Sequence, residues 1–258
     1  MRTAKSIAVD GVEVSVVRKR VRRVNLRVRQ DGSVVVSAPA RVPLAQIEEF
    51  VLSHRQWIAK ARSRALAREE ARREGLRDGG RTRLLGQELP IRVVADLPRR
   101  RSPRAEVEGD ALLVHVAQDA VSTDTDPAGT PAPDPQQAIA QLIGTAVEEL
   151  RRRELEALLP AMFERYEPLM GVHASGWRLR RMTSRWGSCN VRTGRITLNT
   201  ELAAHPVASI QSVVVHELCH LLEPSHNVRF HALMDRYYPA WREAKRELDA
   251  APQARPRP

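Results

Sequence analysis

Apolar and polar positions change their period several times along the chain, and each change marks an element. Over 6–20 and 24–39 they alternate, around Asp10-Gly11 and Asp31-Gly32. Alternation on both sides of an Asp-Gly pair predicts β-hairpins. Val24, Leu26 and Val28 then share one face, and Asn25, Arg27 and Arg29 the other, so a sheet with an apolar and a cationic face is expected. After Pro43 the period turns helical, with Ile47, Phe50, Val51, Trp57 and Ile58 in register. This helix continues through Arg-rich 61–77 and stops at Asp78-Gly79-Gly80. Residues 84–94 and 111–116 read as further strands, joined by a polar turn region.

The stretch 118–136 breaks every period. It is rich in Pro, Asp, Thr and Gly and nearly free of large apolar residues, which is the composition of a linker or disordered loop. The main boundary is expected there. It separates a basic, β-rich region over 1–117 from a second domain over 137–250. That domain opens with a long amphipathic helix to about residue 166, carrying Ile139, Ile143, Val147, Leu150, Leu155 and Leu158; Pro160 kinks or ends it. Strands follow over 177–182 and 195–202, then helices over 206–222 and 227–248. The tail 251–258 reads as disordered, and no internal repeat is evident. The fold class expected is α+β.

Charge changes this picture for the first part. Residues 1–100 hold 23 basic and 11 acidic side chains, whereas the remaining 158 hold 19 and 20. Such asymmetry points to a polyanionic partner, such as nucleic acid or a membrane surface, against the alternative of solvated Arg-rich helix faces. Two cysteines exclude a disulfide scaffold. The first residues lack the apolar run of a secretory signal, and no stretch approaches the ~18 apolar residues of a membrane span. A cytoplasmic protein with no membrane partner is expected.

The chemistry is carried by the string from Ser212 to His226. His216 and His220 stand four apart on an expected helix, so both imidazoles leave one face and can grip one Zn²⁺. Glu217, beside the first ligand, is placed to take a proton from water as general base. Pro224 ends the helix near Leu222, so the chain can fold back and bring His226 to the metal. His226 is the favoured third ligand, with Glu223, His231, Glu243 and Glu247 as other candidates. Three protein ligands leave one position open, which is the catalytic arrangement. Cys219 and Cys189 read as core residues.

His216-Glu217-Leu218-Cys219-His220, with His226, Phe230, Tyr238-Pro239 and Trp241, resembles the YgjP-like family of predicted zinc metallopeptidases. Ser184-Arg185-Trp186-Gly187-Ser188-Cys189, followed by a strand carrying Asn199, is similar to that family's second hallmark. The family is in turn similar in its metal site to the WLM and SprT/Spartan proteases. The resemblance implies a zincin-like metallopeptidase domain with zinc on His216, His220 and His226 and Glu217 as base. It also implies a protein or peptide substrate paired along an edge strand, here 196–202. Arg185 and Asn199 are expected on the substrate side. Tyr237 or Tyr238 is expected either to donate to the oxyanion or to pack on the helices. One departure is that no glycine stands between His220 and His226. The alternative function is a nucleic-acid-associated protein with a structural metal.

Overall fold

A computed structural model describes residues 4–29, 31–120, 135–182 and 185–250. The heart of the expected linker and the whole expected tail lie outside these residues. Among the described residues the chain holds three small sheets and six α-helices. Contacts divide it into two compact units, 1–73 and 74–258.

The first unit has strands β1 (Ala4–Val9), β2 (Val12–Arg18), β3 (Asn25–Val28) and β4 (Val34–Ala38). Both expected hairpins are present: β1 pairs antiparallel with β2, and β3 with β4. A parallel β2–β4 pair joins them, giving the order β1-β2-β4-β3. Asp10 and Gly11 both have positive φ, as the tight turn between β1 and β2 requires. Val14, Val16, Val34 and Val36 bury one sheet face with Ile47, Val51 and Ile58. Those last three come from α1 (Leu44–Ser53) and α2 (Arg55–Gly75). The single helix expected here is broken at His54. The Phe50 carbonyl accepts from Ser53 Oγ at 2.8 Å and lies 2.8 Å from His54 Nδ1, so local side chains take the acceptor that a continuous helix would use.

The second unit repeats that sheet. Strands β5 (Arg81–Leu84), β6 (Gln87–Leu97), β7 (Arg104–Glu108) and β8 (Ala111–Ala117) lie in the order β5-β6-β8-β7. The pairing senses again run antiparallel, parallel, antiparallel. Strand order and pairing senses thus repeat, although the residues themselves show no repeat. The single strand expected over 84–94 is a hairpin turning at Leu85-Gly86, both with positive φ. Strands 81–117 share one core with the C-terminal helices, including Ile91, Leu112 and Val114 beside Ile143, Leu150 and Leu155. The compact units therefore part at residue 73, not within 118–136.

Helix α3 (Pro135–Met170) passes through Pro160 and Pro168 without ending. Both prolines are exposed, while Leu159, Met162 and Phe163 are buried, so packing of the inner face outweighs the hydrogen bonds lost outside. The third sheet holds β9 (Gly176–Arg180), β10 (Gly187–Asn190) and β11 (Arg195–Asn199) in the order β10-β11-β9. β11 is therefore central, with both edges taken, and cannot be the strand that pairs with substrate. A 3-10 turn, Thr200–Ala204, follows it. Next come α4 (Val207–Cys219), α5 (Val228–Tyr237) and α6 (Trp241–Ala250). The helix expected over 227–248 is split because Tyr238, which precedes Pro239, is held out of helical geometry at φ −147°, ψ 74°. No helix among the described residues is long and apolar enough to cross a membrane.

Candidate metal centre

Helix α4 is buried along Val213, Val214, Val215 and Leu218, so its polar residues are held at fixed positions against the core. His216 emerges from its last turn, and His220 caps its C-terminus. His220 Nδ1 lies 3.2 Å from the Glu223 carbonyl. A proton donated there leaves Nε2 free as the ligating atom. The chain then reverses over Leu221–Ser225 without any residue at positive φ, so the missing glycine is not needed. Backbone N–H groups of Leu221, Leu222 and Glu223 donate back to Leu218 and Cys219. Asn227 caps α5, its side chain accepting from the Phe230 N–H at 3.0 Å.

This reversal brings His226 Nε2 to 3.0 Å from His216 Nε2. The ligand atoms of His216, His220 and His226 all lie within 4.8 Å of one another. Nitrogen ligands about 2.0–2.1 Å from a tetrahedral zinc stand about 3.4 Å apart, so these three fit such an ion with small adjustments. Burial pushes His216 down to about 3, with His220, His226, His231 and Lys245 acting in the same direction. His220 and His226 are also lowered, chiefly by burial. All three are then neutral at pH 7, which is the ligating form of imidazole. Phe230, 1% exposed, packs against all three rings with centroids 4.7–4.9 Å away.

Glu217 points from the same helix into a different setting. It is 4% exposed, and its Oε2 has no hydrogen-bond partner among the described residues. Burial pushes its carboxyl up to about 8, against the pull of Arg185 and of the Cys189 backbone N–H. A divalent cation nearby would favour the carboxylate. The centre thus combines three neutral nitrogen donors with a buried carboxylate that has an oxygen to spare.

A family model for the YgjP-like metallopeptidase domain matches residues 22–251. The chain belongs to the YgjP-like family. It is therefore a metallopeptidase by family, and its substrates are proteins or peptides. No curated protein matches it. Among solved structures it is similar to the metallopeptidase zymogen abylysin of Pyrococcus abyssi. That likeness has 18% identity and a TM-score of 0.35, over 37% of this chain and 96% of that one.

The remaining expected site residues of this YgjP-like protein fall into different places. Arg185 is exposed and within electrostatic reach of Glu217. Asn199 is fully buried, and its amide is spent within the chain. Its Nδ2 donates to the Met182 and Arg185 carbonyls, both at 2.9 Å, and its Oδ1 accepts from the Met182 and Glu201 N–H groups. It ties the Met182 and Arg185 backbone to the turn that follows β11. Tyr238 donates to the Ala208 carbonyl at 2.7 Å, so it packs α5 onto α4 and has no proton for an oxyanion. Trp186 packs edge-on against His205, 4.7 Å between centroids. Cys219 is fully buried in the core, away from the ligand set. Sequence reasoning missed Gly187, which backs onto Glu217, and Phe230 as the floor under the imidazoles. The Gly between Trp186 and Ser188 was the available signal for the first.

Proposed function

We propose that this YgjP-like protein is a zinc-dependent peptidase, with zinc held by His216, His220 and His226 and Glu217 as general base. The observation that carries the reading is the convergence of three neutral imidazoles beside a buried carboxylate with one unpartnered oxygen. A zinc ion bound there would lower the pKa of a coordinated water towards ~7 and polarise the scissile carbonyl. Glu217 takes the proton from the attacking water and passes it to the leaving amine. The apolar surroundings of Glu217 keep bulk water from competing for that proton. Arg185, exposed and within electrostatic reach of Glu217, orients the substrate. Asn199 acts at one remove, by fixing the backbone of Met182 and Arg185. An extended peptide adds to β10, an outer strand of its sheet, where main-chain pairing needs no particular side chain.

The test is elemental analysis together with casein hydrolysis on wild type, His220→Ala and Glu217→Gln. Wild type and Glu217→Gln are expected to hold about one zinc per chain, and His220→Ala little. Glu217→Gln is expected to lose at least about 10² in rate. Equal zinc in His220→Ala would refute the ligand set, and an unchanged rate in Glu217→Gln would refute the base.

A further inference from the structure

Residues 14–30 contain seven cationic side chains and no acidic one. One of them, Arg18, is spent on the fold: its guanidinium donates to the Pro39 and Val42 carbonyls at 2.9 and 2.7 Å. The other six, Lys19, Arg20, Arg22, Arg23, Arg27 and Arg29, are exposed. None of the six forms an ion pair among the described residues. Arg27 and Arg29 share the outward face with Asn25, and β3 is an edge strand of its sheet.

The repeated sheet supplies an internal control. β7 occupies the place of β3 in an identical strand order, yet its exposed positions include Glu106 and Glu108. The architecture itself therefore does not call for cations at this edge. Six like charges within eleven residues repel one another, and Asp31, within electrostatic reach of Arg29, offsets only part of that cost. A polyanion would remove that repulsion and release its own counterions.

We infer that the β3 edge of the first unit binds the phosphate backbone of nucleic acid without reading sequence. Five of the six cations are arginines, whose planar forks match phosphate oxygens in pairs and stack on bases. A membrane surface fits less well. Interfacial binding needs exposed apolar side chains beside the cations. The large exposed apolar residues of this unit, Leu52, Trp57 and Leu66, all lie on α1 and α2. This inference is independent of the peptidase reading.

The experiment titrates the full chain against labelled oligothymidylate and a mixed-sequence duplex, by anisotropy, from about 50 to about 200 mM salt. Binding is expected at micromolar order at the lowest salt, falling by at least about 10² across the range. Arg22→Gln, Arg23→Gln, Arg27→Gln and Arg29→Gln combined should weaken binding at least about tenfold and flatten the duplex salt slope by about 0.9 per lost contact. The pair Arg27→Gln and Arg29→Gln should show part of the loss, and casein hydrolysis should be unchanged in both. Three changes at Arg99, Arg100 and Arg101 to Gln should leave binding intact. Salt-independent binding, unchanged affinity in the fourfold variant, or loss at the Arg99–Arg101 control instead would overturn the inference. Binding to phosphatidylserine vesicles in place of both oligonucleotides would also overturn it.

Discussion

Gly187 backs directly onto the Glu217 carboxylate, so closely that a Cβ at Gly187 would lie 2.7 Å from both Cγ and Cδ of Glu217. Real side chains do not approach that near, so only glycine lets β10 pass behind the base. Gly187→Ala is expected to displace the carboxylate by a fraction of an ångström to an ångström and to cost up to about 10² in peptidase rate. Zinc content should stay at the wild-type level, because the three atoms nearest the new methyl all belong to Glu217 and none to a ligand. A variant as active as wild type would mean that the Glu217 position is unimportant.

Asn199 offers a test of positioning without contact. Its amide makes four hydrogen bonds to backbone at Met182, Arg185 and Glu201 from a fully buried site. Asn199→Ala leaves several backbone groups unpaired, each worth about 1–3 kcal/mol, so a loss of about 3 kcal/mol is expected. Calorimetry should show a Tm lower by about 6–12 °C. A melting point within a degree of wild type would contradict the bracket described here.

Phe230 ties the imidazoles to the core. Phe230→Ala removes a ring that touches all three histidines and should cost about 3–5 kcal/mol of stability. Zinc retention against a chelator should fall with it, and Phe230→Leu should recover most of both. Chelator competition that ranks the alanine variant equal to wild type would count against a shared packing role.

His205 sets a pH limit on folding. It is 5% exposed, and burial holds it down at about 4, with the nearby charges of Arg151 and Arg83 acting the same way. The unfolded chain therefore binds the proton at about 6.5 while the folded chain refuses it until about 4. Stability from this group is complete above pH 6.5 and is lost as pH falls towards 4. Between pH 8 and pH 5 the loss is about 2 kcal/mol. Urea unfolding of wild type and His205→Gln at both pH values should show that difference shrink in the variant. An equal pH dependence in both would assign the acid sensitivity elsewhere.

The reasons why some features were legible are physical. His216, Glu217, His220 and His226 span eleven residues, so helical period and a proline-enforced stop were enough to bring them together. The hairpins around Asp10-Gly11 and Asp31-Gly32 were legible for the same local reason. Strand order is not local. β11 lies at the centre of its sheet because Gly187–Asn190 pairs with it, and Gly-Ser-Cys-Asn has little strand propensity of its own. The break at His54 depends on two side chains choosing one carbonyl. The break before Pro239 is masked in the sequence by helical spacing that continues on either side of it. The bonding of the Asn199 amide to four backbone groups is not legible in a sequence, because those groups come from three separate residues brought together only by the fold.

The Leu85-Gly86 turn of the β5–β6 hairpin is pressed against Pro206, where a Cβ on Gly86 would fall 2.7 Å from the proline ring. Pro206 is the residue from which α4 starts, and the Leu85 N–H donates to the Ala203 carbonyl just before it. Arg151 on α3 spans the same seam, reaching Thr82, the Arg83 carbonyl and Glu201. The segment that holds all the chemistry is thus clamped by strands lying more than a hundred residues upstream. A protease nick within 118–136 would leave the two fragments associated, whereas a gene fragment starting at residue 137 would lack the wall against which its motif helix is seated. The smallest heritable piece able to hold this centre in shape begins near residue 74.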